Sequence, residues 1–246
     1  MPGKKQDSRP KSGQEIDFTV LLSILSLIGI GLCTTYLLYG DNLYTVGKFW
    51  PSPVLITLIC NEIGKYLVYT TFFRAEKTLN PRESVVQRKK KSLRQRLVDC
   101  IKFAGVIGLS IGAYGLLCIS LGAPATEHHE ETLTLASVLT ILTVLPLTVF
   151  LGPSGCLQYI WTESFVESGG NKANNSYMEL LTISAAGAIF GAWSASIVAP
   201  LDWDRQWQVY PIPNIVGALL GYALGDLGVL FQKLITHFIP SFNFIF

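Results

Sequence analysis

The residues best equipped for chemistry lie in one short stretch: Pro200-Leu201-Asp202-Trp203-Asp204-Arg205-Gln206-Trp207-Gln208-Val209-Tyr210-Pro211. It places two carboxylates, one guanidinium and three large aromatics between two apolar runs. Three chemistries fit it. In the first, Arg205 receives a phosphate, while Asp202 or Asp204 receives an ammonium or a partner's basic group through charge-assisted hydrogen bonds. In the second, Asp202-x-Asp204 is the metal-binding pair of a transferase. In the third, Trp203, Trp207 and Tyr210 recur at i, i+4 and i+7 on a short interfacial helix. Their rings then anchor at headgroup level, with Asp202 as the cap and Arg205 as its internal partner. Trp203, Trp207 and Gln208 complete the partner- or headgroup-facing set in the first reading.

Other groups invite the same question. Glu62 and Lys65 are three apart inside an apolar run, so they share a helix face. Each alone would cost roughly 2.5–3.5 kcal/mol near a membrane centre. Together they form an intramembrane polar pair that either fixes helix rotation or lines a path. Glu127-His128-His129-Glu130-Glu131 brings acids and imidazoles together, but without the HExxH spacing or a third ligand set. No metal or cofactor is expected. The cysteines, Cys33, Cys60, Cys100, Cys118 and Cys156, form no CxxC or Cys/His cluster and read as small apolar packing residues.

The elements that must position these groups are membrane helices. Only 15% of the 246 residues are charged, against about 25% in an ordinary soluble domain. The charge-poor runs are about 20 residues long, enough to cross a hydrocarbon core of about 30 Å. The spacing predicts an all-α polytopic membrane protein with a polar tail over 1–17 and one six-helix transmembrane domain over 18–246. The spans are expected at about 18–39, 50–73, 98–121, 132–151, 177–198 and 211–235. The first follows a polar leader and is too long for the apolar core of a signal peptide, so it reads as a retained span. Pro146 in the fourth span frees a backbone carbonyl that Thr140 and Thr143 could help satisfy. Asp226, in the sixth, reads as a snorkelling charge.

Small residues recur every four positions on the last two spans: Gly187, Gly191 and Ala195 on one, Gly217, Gly221 and Gly225 on the other. Such ladders let helix backbones approach closely. They could meet each other or the helices of a companion protein, and docking against a companion is the expectation. Gly105, Gly108, Gly112 and Gly115 cluster on the third span.

Basic residues set the orientation. Residues 74–97 hold Arg74, Lys77, Arg82, Arg88, Lys89, Lys90, Lys91, Arg94 and Arg96. The same side of the membrane takes Lys4, Lys5, Arg9, Lys11, Lys172 and Lys233, leaving only Lys48 and Arg205 opposite. Both termini are therefore expected in the cytoplasm. The basic loop is a topology signal and an attraction for anionic headgroups rather than a nucleic-acid site. The Asp202–Gln208 stretch then faces the lumen, and the Asn174-Asn175-Ser176 sequon stays unused on the cytoplasmic side.

The central stretch, with Gly217-x-x-x-Gly221-Tyr222 after it, resembles the signature of the phosphatidylinositol-glycan biosynthesis class F family. Weaker matches are Gly122-Ala123-Pro124, Glu131-Thr132, Leu151-Gly152-Pro153 and Gly191-Ala192-Trp193. Gln206 and Asp204 depart from the proline and glutamate common there. The resemblance covers roughly residues 100–246. It implies a multi-span endoplasmic reticulum protein with no catalysis of its own. Such a protein binds and stabilises the large catalytic ethanolamine phosphate transferase subunits of glycosylphosphatidylinositol (GPI) anchor assembly. Those subunits carry the zinc site and move phosphoethanolamine from phosphatidylethanolamine to mannose of the GPI precursor. Two rivals stand beside this reading: a lipid transporter or scramblase using Glu62 and Lys65, and a transferase using lumenal Asp202, Asp204 or Glu131.

Overall fold

The computed structural model describes residues 12–39, 42–50, 52–79, 93–124, 127–162, 172–198, 200–201 and 204–238. These form six α-helices and no strand among the described residues: α1 Ser12–Leu38, α2 Pro53–Leu79, α3 Leu93–Ser120, α4 His129–Thr162, α5 Lys172–Ala195 and α6 Ile212–Phe238. Short 3-10 turns occupy Asn42–Thr45, Ser196–Val198 and Gln206–Gln208. Helices are the solution a bilayer favours, because each satisfies its own backbone polar groups where no water can.

Five of the six are long and apolar enough to cross a membrane: α1, α3, α4, α5 and α6. Helix α2 is not among them, since Asn61, Glu62 and Lys65 interrupt its apolar sequence. Helix α4 is the centre of the packing, with 72% of its span buried against 11% for α3. Its inward residues Leu135, Val138, Leu139 and Leu142 meet Leu58 of α2 and Ala188 and Leu219 of α5 and α6 in one core.

Hydroxyls inside the bundle turn back onto their own helices. Ser23, Thr140, Thr143 and Thr148 donate to the carbonyls of Thr19, Ala136, Leu139 and Val144. This corrects the expectation for Pro146. The carbonyl it frees is that of Leu142, four residues back, whereas Thr140 and Thr143 serve Ala136 and Leu139.

Helix ends carry a second correction. The fourth helix does not stop at Leu151. Gly152 takes φ 77°, ψ 164°, kinking the chain, and helix resumes through Pro153 to Thr162. A proline just past a glycine restarts a helix well, because its lost N–H belongs to the unpaired first turn. Helix α5 likewise begins at Lys172, earlier than the apolar run alone suggests.

The third helix ends by a definable device. Ala123 N donates to Cys118 O and Gly122 N to Ile119 O, both at 3.0 Å, with Gly122 at φ 106°. This is the Schellman termination, in which a left-handed glycine lets the last carbonyls be satisfied, and a proline beyond it blocks continuation. Gly122-Ala123-Pro124 is therefore a stop.

Candidate interaction site

The 200–211 stretch is built around Gln208. Its side chain is 9% exposed. Nε2 donates to Leu201 O at 2.7 Å and Val198 O at 3.2 Å, while Oε1 accepts from Arg205 N at 2.9 Å. One amide thus ties both limbs of the loop together, and its polar atoms face the loop's own backbone. Asp204 (φ 49°) adopts the left-handed region and Arg205 (φ −105°, ψ 136°) is extended. Only Gln206–Gln208 forms a turn of 3-10 helix. The expected interfacial helix carrying Trp207 and Tyr210 on one face is absent: the left-handed and extended residues interrupt any helical run between Asp204 and the turn. Asp202 and Trp203 lie outside the described residues.

What the clamp leaves outward is Asp204, Arg205 and Trp207, all exposed. Tyr210 turns the other way. Its hydroxyl donates to Thr132 Oγ1 at 3.1 Å, joining the stretch to the start of α4. Burial pushes the Tyr210 phenol up to about 12, with the bond to Thr132 opposing that rise. The loop after α1 closes the same end. Thr134 Oγ1 lies 3.0 Å from Gly47 O, and a Cβ on Gly47 would fall 3.0 Å from both Pro211 Cδ and Glu131 Cγ. Glycine there permits three segments to touch.

Beside Tyr210 lies a partly open groove of about 400 Å³. Its walls include Leu117, Leu121, Leu135, Leu139, Ile189, Ala192 and Trp193, and Cys118, Ser196 and Asn214 add polar atoms. Gly122-Ala123-Pro124, Trp193 and Tyr210, distant in sequence, all line it. Sequence reasoning recorded those pieces separately; no periodicity signals that they converge.

The acidic loop holds one pair, His128 Nδ1 3.2 Å from Glu131 Oε1. Among the described residues no three His, Cys, Asp or Glu side chains group as metal ligands.

Deep in the bundle, Glu62 and Lys65 meet at 2.5 Å, each under a tenth exposed. Lys65 Nζ also lies 3.3 Å from Tyr222 Oη and 5.6 Å from that ring's centre, so the cation is held by α6 as well. One turn on, Asp226 is fully buried and accepts a hydrogen bond from Ser184 of α5. Asp226 is thus an internal cross-link between the last two helices and does not snorkel. Its position near the end of an apolar run suggested a surface charge; Ser184, 42 residues earlier, decides otherwise.

The glycine ladders face each other. A Cβ on Gly187 or Gly191 would collide with the carbonyls of Gly221 and Gly217, and the reverse holds for Gly217 and Gly221. A Cβ on Gly225 would stand 2.8 Å from Ser184 Cα. These stripes are consumed inside the chain, which overturns the expectation that they dock against a companion. The stripe on α3 behaves oppositely: a Cβ on Gly105, Gly108, Gly112 or Gly115 would meet no atom within 4 Å.

An all-α, multi-pass membrane protein with a clamped aromatic–charge loop at one end of its helices is the class these features define. The chain matches the model of the GPI biosynthesis protein family Pig-F over residues 31–229, and it belongs to that family. It is similar to a human protein named GPI ethanolamine phosphate transferase, stabilizing subunit: 31% identical over 137 residues, covering 56% of this chain and 60% of the human one. The mouse protein of that name is 31% identical over 140 residues, covering 57% and 61%. Glycosylphosphatidylinositol anchor biosynthesis protein 11 of Aspergillus fumigatus is 32% identical over 119 residues, covering 48% and 37%. The chain thus aligns with about three fifths or less of the length of these relatives. No solved structure matches it.

Proposed function

We propose that this chain is a non-catalytic subunit of the endoplasmic reticulum membrane. It binds and stabilises the large ethanolamine phosphate transferases of GPI assembly, and so supports lumenal phosphoethanolamine transfer to mannose of the anchor precursor. The relatives' name, stabilizing subunit, points the same way. All six helices cross the membrane in this reading. Helix α2 crosses as the sixth because its polar residues Glu62 and Lys65 are paired inside the bundle. Both termini lie in the cytoplasm and the clamped loop faces the lumen, where Asp204, Arg205 and Trp207, with Asp202 and Trp203, contact the transferase or the headgroups of phosphatidylethanolamine and the GPI precursor.

The observation that carries the proposal is the outer face of α3. Gly105, Gly108, Gly112 and Gly115 follow alternating three- and four-residue steps, the spacing of a continuous helix–helix seam. On α3, 11% of whose span is buried, all four open onto empty space. Small residues matter in a bilayer when another backbone comes close, and the described residues bring none there. A transferase helix fills that seam. Replacing Gly108 and Gly112 with leucine is expected to cut recovery of the transferase with this chain about tenfold, equivalent to roughly 1.4 kcal/mol, without changing the chain's own unfolding temperature. Full recovery of the complex from the double variant would reject α3 as the docking face.

The buried pairing of Glu62 with Lys65 favours packing over passage. Glu62 is already held by Lys65, and Lys65 by both Glu62 and Tyr222.

A further inference from the structure

Lys102 stands in the wall of a second groove, of about 280 Å³, between α3 and α4 and beside the Gly152 kink. Helix α3 supplies Lys102, Val106 and Leu109 to it, and α4 supplies Pro153, Ser154 and Leu157. Lys102, Leu109, Ser154 and Leu157 are exposed, so the groove opens on the outer surface of the helices. Gly105 lines it too, and a Cβ there would meet no atom within 4 Å.

The polar groups of this groove share one depth. A hydrogen bond from Tyr114 to Thr143 joins α3 to α4. Lys102 lies twelve residues before Tyr114, and Ser154 lies eleven after Thr143. The two helices run in opposite senses, so an ammonium and a hydroxyl stand at matching levels. Lys102 is four residues, about 6 Å at 1.5 Å per residue, inside the basic-loop end of the span expected at 98–121. Leu109 lies about 10 Å deeper on the same scale. Neither Lys102 nor Ser154 has a partner among the described residues. Asp99, the carboxylate nearest in sequence, does not line the groove.

We infer that this groove seats one anionic glycerophospholipid, its phosphate at Lys102 and Ser154 and an acyl chain along Val106 and Leu109. The wall itself carries the charge argument: one unmatched cation and one free hydroxyl at one level, with aliphatic surface below them. A lysine binds a phosphate as a point charge, and a cation left unmatched beside hydrocarbon is costly. A sterol leaves Lys102 unmatched, and a zwitterionic lipid brings its own cation to the phosphate. A helix docked in the α3 seam leaves the groove free. At about 100° per residue, Lys102, Val106 and Leu109 face roughly a third of a turn away from Gly108, Gly112 and Gly115. The inference therefore does not rest on the docking proposed for α3.

The test uses the purified full chain in phosphatidylcholine nanodiscs doped with a phosphatidylserine that carries a photoactivatable diazirine partway along one acyl chain. Labelled peptides are mapped by mass spectrometry. Label is expected to concentrate on residues 102–109 and 153–157, and a phosphatidylcholine with the same diazirine is expected to label them less. Lys102→Gln is expected to lower the phosphatidylserine label about fivefold, as loss of about 1 kcal/mol does. Lys102→Arg is expected to keep it. Gly105→Leu, which enters open space, is expected to lower it by filling the groove. Arg94→Gln and Arg96→Gln remove like charges from the same helix outside the groove and are expected to leave the label nearly unchanged. Equal labelling by the two lipids would overturn the inference. A loss on Arg94→Gln as large as on Lys102→Gln would do the same, since it reports diffuse attraction to the basic segment. So would disappearance of the groove label when the chain is in complex with the transferase, because the partner's own groups would then occupy the seat.

Discussion

At the scale of single residues, two buried polar groups carry more than their number suggests. Lys65 is held by Glu62 on its own helix and by Tyr222 on α6. Removing one partner of such a pair leaves an uncompensated charge, at a cost of about 3–5 kcal/mol, whereas replacing both with apolar groups is often neutral. Glu62→Gln is therefore expected to lower the unfolding temperature more than Glu62→Gln combined with Lys65→Met. Equal losses, measured by thermal unfolding in detergent, would mean that the pair is not electrostatically closed. Gln208 is the second case. Its amide joins Val198, Leu201 and Arg205, so Gln208→Ala removes the partner of three loop backbone groups, a loss of about 1–3 kcal/mol. The variant is expected to make the 200–208 backbone exchange its amide hydrogens faster while α6 keeps its protection. Unchanged exchange in the loop would sink the clamp.

At the scale of helices, the contrast lies between two glycine patterns that read alike in sequence. On α5 and α6 the small residues allow backbone to meet backbone, and Ser184 and Asp226 add a polar tie one turn further on. A leucine at Gly191 has no space to enter, since the obstacle is the Gly217 carbonyl and not a movable side chain. Overpacking of this kind costs about 1–3 kcal/mol or more. Gly191→Leu is expected to destabilise the isolated chain, whereas Gly112→Leu on α3 is expected to leave it as stable as the parent. Comparing the two unfolding temperatures separates an internal seam from an outward one; an equal drop would place the α3 stripe inside.

For the whole molecule, the loops at the α4 N-terminus, at Gly47 and at Tyr210 meet at one end. In the proposed orientation, which follows the positive-inside pattern, that end faces the lumen. A cysteine at Gln206, whose neighbours Arg205 and Trp207 are exposed, is expected to resist a membrane-impermeant maleimide in sealed microsomes and to react once they are opened. Reaction in sealed vesicles would invert the orientation.

The sequence by itself determined that the chain is helical and membrane-embedded, where the apolar runs lie, that Glu62 and Lys65 share a face, and which family the 200–211 stretch resembles. Those features are local: they depend on composition, on a 3.6-residue period, or on a contiguous motif. Helix ends were only partly legible, because Gly152-Pro153 can stop a helix or kink one, and packing decides between them. Only the tertiary structure decided that Asp226 is internal, that one pair of glycine ladders is already mated while the α3 stripe is open, that Gln208 closes its own loop, and that Gly122, Trp193 and Tyr210 line one groove. Each of these depends on what lies across a gap of many residues, and a one-dimensional pattern specifies the face of a helix without naming the surface that covers it.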